Sequence, residues 1–200
     1  MADAETLKVY AERAGDYARL FDAKEPDADL GAFIAELPAG ARVLDLGCGP
    51  GHAAALMRAA GLQPDATDAC REMVDLANQL YDLDARLASF DDLAAIDAYD
   101  GVWANFSLLH APRTDLPRNF AAISRALRAG GVLHLGMKLG QGEARDGLGR
   151  SYTYVTEAEL REFVTMAGLT PIAQREGAEK GLAGTNDPFI ILRARKTTDA

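Results

Sequence analysis

The stretch ARVLDLGCGPGHAAALM, residues 41–57, decides the fold. Val43, Leu44 and Leu46 around Asp45 make a short apolar strand, and Gly47, Gly49 and Gly51 follow at alternate positions. An alanine-rich helix then runs from His52 to Ala60 and stops at Gly61, a C-terminal glycine. Backbone approaches a ligand closely only where no Cβ intrudes, and glycine also tolerates positive φ. A glycine turn between the carboxyl end of a strand and a helix N-terminus therefore reads as a nucleotide-type binding site. The plain alternative is a tight turn that holds nothing. The dinucleotide fingerprint G-x-G-x-x-G is not met, because His52 stands where its last glycine belongs, and no Gly-Lys-Ser/Thr follows to cradle a triphosphate. Asp45 would repel a pyrophosphate but attract an ammonium, directly or through water. The turn thus favours a ligand with a cationic end.

Outward from this turn the pattern repeats in kind. QPDATD (63–68) reads as a strand ending in Asp68, and REMVDLANQLY (71–81) as a helix with Met73, Leu76, Ala77 and Leu80 on one face. ARLASF (85–90) and DGVWANF (100–106) read as strands, Leu116 to Leu127 as a helix stopped by AGG, and VLHLGM (132–137) as the next strand. Strands alternating with helices at this pace mean crossover units and a parallel sheet covered on both faces. Thr156 is expected to cap a helix over TEAELREFVTMAG, with Glu159 at capping-box spacing. LTPIAQRE (169–176) and PFIILRARK (188–196), joined through GAEKGLAGT, read as a closing hairpin that leaves one strand antiparallel. At the other end, Leu7, Tyr10, Ala14, Tyr17 and Phe21 predict a helix over residues 3–22, and a second runs from about Asp29 to Leu37.

Composition bounds the function. The chain has 200 residues, 48% hydrophobic and 26% charged, which suits one globular domain. A net charge of −9 argues against a nucleic-acid partner, since phosphate binding is driven by Lys and Arg. Cys48 and Cys70 make neither a disulfide framework nor a zinc site, so no metal is expected. No secretory signal and no apolar run of membrane-spanning length is visible, so a cytoplasmic protein without a membrane partner is expected.

VLDLGCGPG resembles motif I of the class I S-adenosylmethionine-dependent methyltransferases, and REMVDLA resembles that family's P-E-M-x-x-x-A helix start, with Arg71 where proline is common. The resemblance runs from about Ala41 to Gly131. It implies an α/β fold, a seven-stranded, mostly parallel Rossmann-like sheet with helices on both faces and the last strand antiparallel. It also implies S-adenosylmethionine as cofactor and S-adenosylhomocysteine as product. Within one domain, 1–200, residues 1–37 would form a helical cap, 41–137 the cofactor half and 138–200 the substrate half.

Carried over residue by residue, the resemblance puts Gly47, Cys48, Gly49 and Gly51 against the methionyl moiety and ribose, with Asp45 serving the amino group. Asp68, followed by Ala69, would accept two ribose hydroxyls. Met73 packs on adenine or is simply a core residue. Many members hold the adenine amino group with an Asp after the third strand. Here Ser89 and Phe90 stand near that point, with Asp91 and Asp92 beyond, so the Phe90 N–H and a carboxylate in shifted register are expected there. Asn105 would lie beside the sulfonium, and Tyr10, Arg13 and Tyr17 would form a lid or else cover the sheet end.

Methyl transfer is an in-line displacement that needs alignment and only sometimes a base. His110 is the candidate base, the alternative being a positioning role; His52 and His134 have weaker claims. Lys138, Arg145, Arg150 and Tyr152 are candidates for an anionic small-molecule acceptor, since guanidinium matches carboxylate and phosphate. The alternatives there are a solvated strand end and an internal Arg–Asp pair bracing the loop. A non-catalytic binder of the same cofactor and a nicotinamide-dependent oxidoreductase are the rival readings. Monomer and homodimer both stay open.

Overall fold

The computed structural model describes residues 3–20 and 24–197. Two short helices, α1 (Ala4–Glu12) and α2 (Ala14–Leu20), precede α3 (Ala28–Ala35). Then follow β1 (Arg42–Leu46), α4 (His52–Ala59), β2 (Gln63–Asp68), α5 (Arg71–Tyr81), β3 (Arg86–Leu87), β4 (Tyr99–Asn105), α6 (Leu116–Ala126) and β5 (Leu127–Lys138). The chain closes with β6 (Glu143–Arg145), β7 (Ser151–Thr153), α7 (Glu157–Met166), β8 (Leu169–Lys180) and β9 (Asn186–Lys196). Seven strands make one sheet in the order β3-β2-β1-β4-β5-β9-β8, while β6 and β7 pair separately. Parallel pairing joins β3, β2, β1, β4 and β5, and β9 runs antiparallel to both β5 and β8. The expected sheet, with its one antiparallel strand, is what forms.

Alternate side chains of each strand bury to opposite faces. Val43, Trp103 and Val132 pack with Phe33 of α3 and Met57 of α4; Leu44, Val102 and Leu133 pack with Phe120 of α6 and Val164 of α7. Both faces are therefore covered, and the carboxyl edge of the sheet is left as the place for a ligand.

Several boundaries differ from expectation, each for a local reason. The first helix breaks at Arg13 (φ −115°), so that Leu7 and Tyr10 before the break and Ala14 and Tyr17 after it all pack around Cys70 and Met73 of α5. Phe21 lies outside the described residues. Glycines 130 and 131 do not end a helix in a loop: β5 begins at Leu127 and runs through them, with its register against β4 shifted between Tyr99 and Gly101. A bulge there needs Gly130 at φ +75°. The third strand is cut to two residues because Ser89 starts a 3₁₀ turn, Phe90–Asp92, whose Asp92 carboxylate accepts from both Ser89 N and Ser89 Oγ at 2.8 Å. The final reversal shrinks to residues 181–185, because Gly177 to Lys180 pair with β9. Helix α7 starts as expected: Thr156 Oγ1 accepts from Glu159 N at 3.2 Å, and Glu159 Oε2 accepts from Thr156 N at 3.4 Å. Thr156→Ala is expected to cost about 1 kcal/mol of stability in urea unfolding.

Candidate functional site

The carboxyl ends of β1, β2 and β4 open into a cleft with about 730 Å³ of atom-free space, its mouth included. Its floor is the glycine turn. Gly47 N and Cys48 N both donate to Thr67 O, at 2.8 and 2.9 Å, which ties the turn to β2. Gly47 sits at φ +82° and Gly49 at φ +53°, and both line the cleft. Asp68 ends β2 beside them. Its Oδ2 accepts from Gly49 N and its Oδ1 from Cys70 N, each at 2.8 Å. Burial pushes this carboxyl's pKa up, against the pull of those N–H groups. Each oxygen keeps a second acceptor site, so a pair of hydroxyls can still be met.

The other turn residues do different work. Cys48 and Gly51 do not line the cleft. Cys48 packs in the apolar cluster of α4 and α5. A Cβ at Gly51 would lie 2.5 Å from Leu83 Cδ1 and 2.8 Å from Ala77 Cβ, so this glycine lets the turn pack against α5, not against a ligand. Two of the four expected contacts are thus turned inward, Cys48 into the apolar cluster and Gly51 against α5. Asp45 also stands behind the wall, 2% exposed, and its Oδ2 has no partner among the described residues. Burial, and secondarily the charge of Asp68, raise its pKa to about 7. A buried carboxyl with one oxygen left over suits a positive charge above it better than a pyrophosphate.

Ala69, Met73, Ser89 and Phe90 line the far end of the cleft. Met73 is at once wall and core, packed with Ala14 and Cys70. Asp91 and Asp92 do not line it, and the Asp92 carboxylate is spent on its own turn. Asn105 closes the near end, together with Phe106 and Ser107. Ser107 escaped the sequence reading; its Oγ donates to Leu46 O at 2.6 Å and holds β4's exit against β1's. Phe106, at φ +54°, also lines the cleft, and nothing in its sequence setting marks it.

The roof comes from α1 and α2, through Asp3, Thr6, Leu7, Tyr10 and Tyr17. Arg13 is not among them. Burial and the nearby ring of Tyr10 push the Tyr17 hydroxyl pKa up. The β6–β7 hairpin, which the glycine-rich loop concealed, latches this roof. Arg145 Nη1 and Nη2 donate to the two Asp3 carboxylate oxygens at 2.9 Å, and Ser151 N donates to Thr6 Oγ1 at 2.8 Å. The Arg145 guanidinium holds the Asp3 carboxyl well below the usual range.

The four residues expected to meet an anionic acceptor lie off the cleft wall, because each cation is already satisfied. Arg145 is the latch just described. Arg150 forks onto Asp146 Oδ2, at 2.9 and 2.7 Å, with Nη1 3.1 Å from Tyr10 Oη. The internal Arg–Asp brace is thus the arrangement found. Lys138 pairs with Asp187 and lies 4.0 Å over the Tyr152 ring, and Tyr152 packs on His110 with ring centroids 4.8 Å apart.

His110 lines the cleft and has both nitrogens engaged. Nδ1–H donates to Ser151 O at 2.7 Å, and Nε2 accepts from Tyr10 Oη at 2.7 Å. Burial drives its pKa down to about 4, with Arg150 and Lys138 adding to the effect, so the ring is neutral at pH 7. Tyr10→Phe is expected to cost about 2 kcal/mol in urea unfolding, because it removes the hydrogen bonds to both His110 Nε2 and Arg150 Nη1.

Among the described residues no group of three or more His, Cys, Asp or Glu is placed to hold a metal ion, and no helix is long and apolar enough to cross a membrane.

The glycine turn, the Asp68 carboxylate and the α1–α2 roof together frame one cleft at the carboxyl edge of an α/β sheet. Residues 43–131 match the family model described as a methyltransferase domain. A ubiquinone biosynthesis O-methyltransferase of Xanthomonas axonopodis pv. citri is 40% identical over 106 residues, 49% of this chain and 43% of that protein. The match therefore takes in less than half the length of this curated relative. Among solved structures, the 1,6-didemethyltoxoflavin-N1-methyltransferase of Burkholderia thailandensis, bound to its acceptor and S-adenosylhomocysteine, superposes with a TM-score of 0.74 at 23% identity. That likeness covers 98% of this chain and 88% of the other. A putative methyltransferase in complex with the Trm112 activator of Haloferax volcanii gives 0.75 at 20% identity, covering 98% and 97%. Residues 43–131 thus match a methyltransferase domain, and the chain as a whole shares the fold of these solved methyltransferases.

Proposed function

We propose that the chain transfers the methyl group of S-adenosylmethionine to a small, uncharged, planar acceptor, leaving S-adenosylhomocysteine. The observation that carries this is the Gly47–Gly49 turn with Asp68 beside it at the cleft floor. The residues fit such a nucleoside: a backbone cradle without Cβ atoms, a carboxylate with acceptor sites to spare for ribose, and the buried Asp45 carboxyl, whose Oδ2 has no partner among the described residues, beneath a cationic ligand. When bound, the sulfonium supplies a methyl group with its leaving group built in. The chain's own part is alignment and the exclusion of water. The α1–α2 roof does the second, held down by Arg145 and Ser151.

The acceptor's character follows from the remaining wall. Leu7, Tyr10, Phe90 and Phe106 offer apolar and aromatic faces, and no Lys or Arg is among the described residues that line the cleft. An uncharged ring suits this wall better than the anion expected from Arg145 and Arg150. An acceptor hydroxyl or N–H that displaces the Tyr10 hydroxyl meets His110 Nε2 as a hydrogen-bond acceptor. Neutral at pH 7, the imidazole orients that group's lone pair, and the proton the group sheds on methylation passes on to solvent. The reading places the chain in the reducing cytoplasm, consistent with two free cysteines.

Incubating the protein with S-adenosylmethionine and a panel of uncharged phenols and N-heterocycles, catechol among them, tests this by the S-adenosylhomocysteine released. Turnover with a panel member supports the reading. Product binding with no turnover supports the non-catalytic rival, and calorimetric binding of NADH in its place supports an oxidoreductase.

A further inference from the structure

His134 lies in the middle of β5, fully buried, with its ring stacked on Trp103 at 3.6 Å between centroids and 16° between planes. Phe33 of α3 meets it edge-on at 6.1 Å. Its Nε2 is 3.1 Å from Asn105 Oδ1, and Asn105 lines the cleft. An amide oxygen only accepts, so Nε2 carries the proton and donates. Burial holds the imidazole's pKa at about 3, which leaves the ring neutral with a lone pair on Nδ1. That Nδ1 has no partner among the described residues. Turning the Asn105 amide over would put its NH₂ on Nε2 and strand Nδ1–H as a buried donor, the costlier arrangement. A second constraint acts on the same oxygen: a Cβ at Gly136 would lie 2.5 Å from Asn105 Oδ1, so glycine at 136 makes the room it occupies. The amide is therefore pinned by its oxygen. Its Nδ2 has no partner among the described residues and is the polar atom left for the cleft.

The charge of the wall says what that NH₂ is for. The charged side chains among the described lining residues are Asp3 and Asp68, and both are acids. Lys138, Arg145 and Arg150 are paired elsewhere. A carboxylate entering this cleft finds no cation and must be met by neutral donors. We propose that His134 is a positioning residue that fixes the Asn105 amide so that its NH₂ meets the carboxylate of the aminoacyl end of the adenosyl donor. This rests on the reading of the cleft as an adenosyl-donor site.

Calorimetry with two probes tests it. S-adenosylhomocysteine carries that carboxylate, and 5′-methylthioadenosine lacks the whole aminoacyl end. His134→Phe keeps a ring on Trp103 but removes the Nε2–H. It is expected to weaken S-adenosylhomocysteine about tenfold and 5′-methylthioadenosine less than twofold. His134→Gln, which returns an N–H near the Nε2 position, is expected to recover affinity to within about threefold of wild type. Should His134→Phe not fold, Asn105→Leu carries the same two-probe comparison. In the ligand-free wild type, ¹⁵N NMR is expected to show His134 protonated at Nε2. A variant that weakens both probes equally, or neither, overturns the proposal, and so does a proton found on Nδ1. If wild type binds neither probe, it is the adenosyl-site reading that fails, while the NMR result still decides how His134 holds Asn105.

Discussion

Gly47→Ala is expected to destabilise the fold by about 3 kcal/mol and to abolish binding of S-adenosylhomocysteine. At φ +82° any side chain is strained, at about 1–2 kcal/mol for the left-handed region. The new Cβ would also overlap the Ser107 Cβ, with Ser107 Oγ and Cα close behind at 3.1 and 3.7 Å. Ser107 is buried and bonded to Leu46 O at 2.6 Å, so it does not yield cheaply. Overpacking of this kind adds about 1–3 kcal/mol. Gly49→Ala is the control: φ is +53°, but the nearest atom to its Cβ is Tyr17 Cε1 at 3.6 Å, an ordinary contact. Only the backbone strain remains there, about 1–2 kcal/mol. Urea unfolding of both variants reads the difference, and equal losses would show that β4's exit does not press on the turn.

Asp68→Ala is expected to lower S-adenosylhomocysteine affinity about a hundredfold, ~2.7 kcal/mol. Two effects combine. The charge-assisted contacts to the ribose hydroxyls go, and Gly49 N and Cys70 N lose the carboxylate that now fixes the turn. Asp68→Asn, which keeps one oxygen, is expected to fall between the variant and wild type. Calorimetry on folded variants checks this, with circular dichroism to confirm the fold. Unchanged affinity in a folded Asp68→Ala protein would remove Asp68 from the ribose site.

The central part of this site was legible in the sequence because its chemistry is local. A strand, a glycine turn and a helix are written side by side in residues 41–57, and Asp68 and Asn105 stand at the ends of strands that the alternation of elements placed in order. Which glycine faces the ligand was not legible: Gly51 differs from Gly47 only in what a distant segment, Leu83 and Ala77, puts against it. Which partners the acceptor-side cations take was not legible for the same reason. Arg145 finds its carboxylate at Asp3, at the far end of the chain, and nothing near residue 145 signals that pairing. The β6–β7 hairpin hides in a glycine-rich loop because its turn is built by Asp146, whose Oδ1 accepts from Leu148 N and Arg150 N. Glycines 130 and 131 read as a helix stop, yet tertiary pairing with β4 turned them into a bulge inside a strand.

The reading as a whole turns on whether an adenosyl nucleoside occupies the cleft above Gly47 and Gly49. A crystal structure grown with S-adenosylhomocysteine measures this directly. The expected result is ribose hydroxyls within hydrogen-bonding distance of the Asp68 carboxylate, with the homocysteine end against Gly47 and Asn105 beneath the α1–α2 roof. An empty cleft at saturating ligand, or the nucleoside bound elsewhere on the chain, would contradict it.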